Sequence, residues 1–266
     1  MVANITAQAV QALRKATGAG MLDAKKALEE AEGDSERAAQ ILREKGLAGA
    51  MKREDRENTQ GAVALALIDN KVGAIVELKC ETDFVAKSEA FVEAANKAAN
   101  ELATSGESGL AALAEEIDQL KLTLKENIAL GKTARFEAGV DGFVDGYLHV
   151  QNGRGVNAVI VSLVGADPEV AHDLSLHIAF AKPEYLSRDQ VPADVVEQER
   201  KTLETLSRNE GKPEAALPKI IEGRMDGFFK GICLLEQSFV KDEKLRISDL
   251  LKGASIIGYS QIVVGG

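Results

Sequence analysis

One order of elements occurs twice in this 266-residue chain, and the repetition constrains the fold more than any other feature. In the first copy Ala62, Ala64 and Ala66 alternate with Val63, Leu65 and Leu67, and Asp69 and Asn70 make a turn. Ala74, Val76, Leu78 and Cys80 then share one face opposite Glu77, Lys79 and Glu81. Alternation of this kind predicts an antiparallel hairpin with one wet face. An acidic junction from Glu81 to Lys87 leads into a helix carrying Phe91, Ala95, Ala98 and Leu102, and a second helical stretch is expected from about Leu110 to Leu130. In the second copy Gly142 to His149 and Asn157 to Val164 are strands around a glycine-rich turn, Gln151 to Gly155. Asp167 and Pro168 then open a helix holding Val170, Leu174, Ile178 and Phe180. Gly61 against Gly142 gives an offset of 142 − 61 = 81, and Asp83 against Asp167 gives 167 − 83 = 84; the difference implies a longer second hairpin turn. Two related subdomains of sheet plus helix follow.

Other elements flank and interrupt this pair. From Ile5 to Lys45, apolar residues recur every three to four positions in three runs: Val10, Leu13 and Ala16; then Leu22, Ala24, Ala27, Leu28 and Ala31; then Ala38, Ile41 and Leu42. Thr6 and Asp34 suit N-caps, and Gly18, Gly20, Gly33 and Gly46 fall where helices should stop. Because the first aromatic residue is Phe84, this three-helix module must have a small aliphatic core. A polar run follows Leu47. Between about Pro183 and Ile232 two further helices are expected, with Pro192 and Pro213 at their starts. Leu217, Ile220, Ile221, Met225, Phe228, Phe229 and Ile232 form a stripe on the second helix, with more apolar surface than the facing Val195, Val196, Leu203 and Leu206 cover. A strand from Ile256 to Val264 can join the second sheet. The expected class is α+β: a three-helix head at 1–46, a linker at 47–60, core subdomains at 61–140 and 141–266, and a helical hairpin inserted in the second at about 183–230.

Charge and cysteine usage narrow the function classes. Lys plus Arg against Asp plus Glu gives 32 − 42 = −10, and an acidic surface repels phosphate backbones, so no direct nucleic-acid partner is expected. Cys80 and Cys233 are too few for a disulfide framework and sit among apolar neighbours, which suits a reducing cytoplasm. The amino terminus lacks a signal-peptide core and no apolar run reaches the roughly 20 residues of a membrane span, so a cytoplasmic location without membrane partner is expected.

Signatures of catalysis are weak. His149, His172 and His177 lack metal-ligand spacing, since His172 and His177 stand five apart. Gly131, Lys132 and Thr133 mimic the end of a phosphate loop, yet position 126 is Glu where that loop needs glycine, and Ala134 and Arg135 begin a strand pattern. Gly18 and Gly20 follow a helix rather than a strand, so a tight helix-to-helix turn explains them better than a dinucleotide site. No catalytic residue, cofactor or metal is expected. The junction Thr82, Asp83, Phe84, Val85 stands apart, because an aromatic at the tip of an acidic loop is either a staple folded onto its own helix or an anchor for a partner. The equivalent corner in the second copy, Asp167 and Pro168, needs no aromatic.

Two segments carry a resemblance. Thr17, Gly18, Ala19, Gly20, Met21, Leu22, Asp23, Ala24, Lys25, Lys26, Ala27 and Leu28 resemble the first signature of the bacterial elongation factor Ts family. Cys80, Glu81, Thr82, Asp83, Phe84, Val85, Ala86 and Lys87 resemble its second. The likeness covers essentially the whole chain. It implies a UBA-like three-helix head and a protein without catalytic chemistry of its own that speeds GDP release from elongation factor Tu. Asp83 and Phe84, flanked by Thr82 and Val85, resemble the group that displaces the magnesium-holding elements of that GTPase. Arg14, Met21, Leu22 and Lys25 resemble a second contact with it, and His149 and Val240 a third. Leu124 and Lys125 stand where many relatives have Ile and Gly, and Lys241 where a Met occurs, so no role carries over there. A helical adaptor without exchange activity is the alternative function, and self-association is left open.

Overall fold

The computed structural model describes residues 5–266; positions 1–4 of the expected head lie outside the described residues. Three helices come first: α1 (Ala7–Thr17), α2 (Met21–Glu30) and α3 (Ser35–Met51). Thr6 caps α1 by accepting the Ala9 N–H, and Asp34 caps α3 by accepting from Glu36 and Arg37. Val10, Leu13, Ala24, Ala27, Leu28, Ala31 and Ala38 make a core with no aromatic ring in it. Two of the expected glycine stops are corrected. Gly20 opens α2 as its N-cap instead of closing a helix. Gly46 lies inside α3, which continues five residues past it; a Cβ there would come within 2.9 Å of Leu122 Cδ2, so this glycine serves close packing against a later helix. Helix therefore covers the first part of the polar 47–60 stretch.

The first sheet follows, with β1 (Gln60–Ile68) and β2 (Val72–Cys80) antiparallel, and β3 (Ala129–Glu137) antiparallel to β2. Between β2 and β3 run α4 (Asp83–Ala86), α5 (Glu89–Ser105), α6 (Glu107–Ala112) and α7 (Ala114–Leu124). The expected helix to Leu130 ends at Leu124, where Lys125 turns left-handed at φ 59° and the chain enters β3. Next come β4 (Gly142–Gln151), β5 (Arg154–Val164) and α8 (Pro168–Ala181). The hairpin helices α9 (Ala193–Asn209) and α10 (Leu217–Ile232), the ribbon β6 (Ser238–Phe239) and β7 (Asp242–Arg246), α11 (Ile247–Leu250) and β8 (Ser255–Val263) complete the chain. The second sheet has the order β4, β5, β8, all antiparallel, matching the first. Its hairpin turn is shorter than the first, not longer. It consists of Asn152 and Gly153, both at positive φ as a two-residue turn demands, and the extra length lies in strands of ten and eleven residues against nine and nine.

The two sheets pack face to face. Val63, Ile75, Ala158, Ile160 and Ile262 fill the space between them, while Ala62, Ala64, Val76, Leu78 and Cys80 face α5 with its Phe91, Ala95 and Leu102. On the far side, Val159, Val161 and Leu163 face α8 and α11. Four layers result, helix, sheet, sheet, helix. The expected wet face of β2 is therefore wrong: Ile75 and Glu77 are both buried, because the second sheet covers them. Glu77 sits in a β-bulge where β2 and β3 lose register, and its carboxylate accepts the Lys132 N–H at 3.2 Å. A Cβ at Gly131 would lie 2.4 Å from Glu77 Oε2, so the glycine of the phosphate-loop mimic makes room for that carboxylate.

The hairpin also corrects an expectation. Leu217, Ile221, Met225 and Phe229 of α10 are buried with Val191 and Cys233, and Val195, Val196, Leu203 and Phe228 close over them, so no broad apolar stripe is left uncovered. Arg188 fastens the base, bonding Glu236 and, at 2.9 Å, Asp226, with its guanidinium 4.5 Å from the Phe229 ring centre. Phe180, expected among the apolar residues of α8, is exposed. It lies two positions beyond buried Ile178, about 200° around the helix and so on the opposite face.

Candidate functional site

The corner after β2 is rigid and carries a displayed ring. Glu126, just before β3, reaches across to accept the N–H groups of Glu81 at 2.9 Å and Thr82 at 3.1 Å, and the Thr82 hydroxyl at 2.5 Å. Glu81 answers by accepting the Asn127 N–H at 2.7 Å, and it pairs with Arg56 at 3.3 Å. These reciprocal bonds satisfy backbone donors that the end of β2 would leave open. Thr82 Oγ1 in turn accepts the Val85 N–H and caps the single turn of α4.

Within that turn the four residues divide their work. Val85 packs against the core of the first subdomain beside buried Ala86. Phe84 points outward with 81% of its surface exposed, which excludes the staple arrangement. Lys87 Nζ bonds Asp83 at 2.5 Å and stands 6.0 Å from the Phe84 ring centre. That hydrogen bond and the ammonium charge hold the Asp83 carboxyl below its usual range, so it presents a negative charge at neutral pH. Exposure of a whole aromatic ring forgoes about 1.5–3 kcal/mol of burial, so the isolated chain gains nothing from the ring there.

Nucleophilic chemistry finds no support at this corner. Cys80 is fully buried and burial pushes its thiol up to about 12, leaving it protonated at neutral pH. Among the described residues no cluster of His, Cys, Asp or Glu is arranged to hold a metal ion, and no helix is long and apolar enough to cross a membrane.

The other expected residues lie elsewhere. Met21, Leu22 and Lys25 share the exposed side of the first turns of α2, with Leu22 72% exposed, and Arg14 is exposed in the last turn of α1. His149 is exposed near the end of β4 with its Nδ1 3.2 Å from the Tyr147 hydroxyl. Val240 lies in the turn between β6 and β7, where its N–H donates to His177 Nδ1 at 3.4 Å. His177 is fully buried. Its Nε2 is 2.9 Å from Gln237 Oε1, and burial lowers its pKa, so the neutral ring donates to Gln237 and accepts from Val240. Among the described residues no hydrogen bond joins the head group of Arg14, Met21, Leu22 and Lys25, the Thr82–Val85 corner, and the pair His149 and Val240 to one another.

Sequence reasoning missed Glu126 and His177. Glu126 lies 44 residues from Thr82 with no local pattern to mark it, and His177 has its partner Gln237 60 residues away.

Comparison with known proteins supplies the remaining finding. A family model described as elongation factor TS matches residues 81–266. Elongation factor Ts of Renibacterium salmoninarum is 45% identical over 282 residues, covering 99% of this chain and 100% of that protein. Elongation factor Ts of Streptomyces coelicolor is 45% identical over 280 residues, again 99% of this chain and 100% of the relative. Elongation factor Ts of Micrococcus luteus is 42% identical over 282 residues with the same coverage.

Proposed function

The chain belongs to the elongation factor Ts family, and from that premise we propose that it acts in translation elongation as the nucleotide exchange factor of elongation factor Tu. Exchange requires a protein that binds the nucleotide-free GTPase better than its GDP form; by linkage, GDP weakens the complex by the same factor that the complex weakens GDP. The observation that carries this reading is the exposed Phe84 on a corner fixed by Glu126. Seating that ring in a pocket that opens only when the magnesium-holding segment shifts is worth about 1.5–3 kcal/mol, one to two orders of magnitude in equilibrium. Asp83 beside it intrudes with the ring against the magnesium-holding elements, while Thr82 and Val85 fix the turn. A dislodged magnesium ion no longer bridges phosphate oxygens to the protein, so GDP loosens without being touched.

The remaining surfaces supply affinity. Arg14, Met21, Leu22 and Lys25 form a head contact with steering charge, and His149 and Val240 form a contact on the second subdomain. The head, comprising 1–46 with a UBA-like arrangement, the linker at 47–60, and core subdomains 61–140 and 141–266 are the working units of this division. The chain performs no covalent chemistry and works where elongation does, in the cytoplasm. Release of labelled GDP from purified elongation factor Tu tests the reading: micromolar protein should accelerate it, and an unchanged rate would refute it.

A further inference from the structure

Although the chain is acidic in total, with a net charge of −10, it gathers cations at one place that the exchange reading leaves unused. A cleft of about 530 Å³ lies between the three head helices and α7. Lys26, Arg43, Lys45, Arg53 and Lys125 line it, against a single carboxylate, Asp23. Lys125 engages Asp23 at 2.8 Å across the gap, and Lys45 engages Glu30. Among the described residues neither Lys26 nor Arg43 makes a direct ion pair, although the Lys26 charge helps to lower the Asp23 pKa, and the Nε of Arg53 is buried without an acceptor. Arg53 Nη2 reaches only the Lys121 carbonyl, at 3.4 Å. The cleft is thus rich in donors and poor in acceptors, in a chain whose net charge is −10.

Part of its lining is of another kind. Ala16, Leu42 and Leu122 contribute apolar surface, and Gly46 lets α3 come close to α7. We propose that this cleft binds a nucleoside polyphosphate, with its phosphates on the cationic side chains and its base against the apolar part of the lining. The volume falls within the range of small-molecule sites, roughly 300–1,000 Å³. Guanidinium and ammonium groups around an apolar surface match that chemistry, because phosphate oxygens accept several charge-assisted bonds at once. An acidic peptide fits less well, since extended peptides dock on sheet edges or along helix grooves, and this cleft is bounded by helix sides and lined by alanine and glycine. An occupant would bridge Lys26 and Arg43 of the head to Lys125 beyond α7, so occupancy would hold the head in one orientation.

Calorimetry on the isolated full chain tests the proposal without any GTPase, so it stands or falls separately from the exchange reading. ADP should bind with measurable heat, and pyrophosphate, lacking the base, should bind about tenfold more weakly. The double variant Lys26→Gln, Arg43→Gln changes exposed side chains, so it should keep the wild-type melting temperature while weakening ADP by about tenfold or more. Three results would overturn the proposal: no heat at millimolar ADP, equal affinity of wild type and double variant, or binding of a hexaglutamate peptide in place of ADP. Pyrophosphate binding as tightly as ADP would contradict the role given to the apolar part of the lining.

Discussion

After β2 the chain takes residues 81–88 to reach its next long helix, whereas after β5 it takes only residues 165–167. The short corner closes with ordinary means: Asp167 accepts the Glu169 N–H, Pro168 begins α8, and no ring is displayed. The long corner inserts α4, ties it to Glu126 from the far end of the helical layer, and leaves Phe84 in solvent. Two sheets of the same order and hand of pairing thus need the same connection, and only one of them carries an element that the connection does not require. The difference teaches that α4 is an addition to what the connection needs, and that Phe84 contributes nothing to the core of the isolated chain; the proposed exchange role gives the ring a use.

Substitutions can break or sharpen that contrast. The largest expected effect is on stability: Phe91→Ala, at a fully buried ring five residues after buried Ala86 of the long corner, should cost about 3–5 kcal/mol in urea denaturation. Exchange activity of this variant should fall only in proportion to the folded fraction. If its folded molecules were inactive, the separation of core from display would fail. Glu126→Ala comes next, leaving two backbone N–H groups and a hydroxyl without their shared acceptor, and about 1.5–3 kcal/mol of corner stability should go with it. Exchange should suffer more than the melting temperature, since the ring would no longer be held; hydrogen exchange at Glu81 and Thr82 would report the loosening directly. At the short corner, Asp167→Ala should remove about 1 kcal/mol of helix capping and leave GDP release unchanged. The smallest effect concerns pH. Because burial lowers the pKa of His177 on α8, its stabilising contribution is full above the ordinary value near 6.5 and is lost as pH falls toward the folded value. Urea midpoints at about pH 7 and about pH 5.5 should differ less for His177→Gln than for the wild type.

How much of this was legible in the sequence follows from the range of the forces involved. Thr6 and Asp34 act within three residues, and their caps could be read directly. The paired hairpins could be read because alternation and turn residues are local. Glu77 could not, since its burial is imposed by a second sheet and its acceptor role by a bulge in β3. Gly46 looks like a helix stop until Leu122 is seen beside it. At the candidate site Thr82, Asp83, Phe84 and Val85 stood out as a motif, but the Glu126 carboxylate that holds Thr82 lies 44 residues away, and no spacing rule connects it to them. The apolar stripe of α10 misled for the same reason: Val191, Cys233 and Tyr185 at the base of the hairpin add cover that α9 alone does not give.

The central claim is that Phe84 acts outside the fold, and one paired measurement addresses it most directly. Melting temperature and the rate of labelled GDP release from elongation factor Tu would be recorded for the wild type and for Phe84→Ala under the same conditions. The expected result is an unchanged melting temperature with exchange slowed by about one to two orders of magnitude, corresponding to the roughly 1.5–3 kcal/mol of ring burial. A lowered melting temperature with exchange reduced only by the unfolded fraction, or full exchange activity, would contradict it.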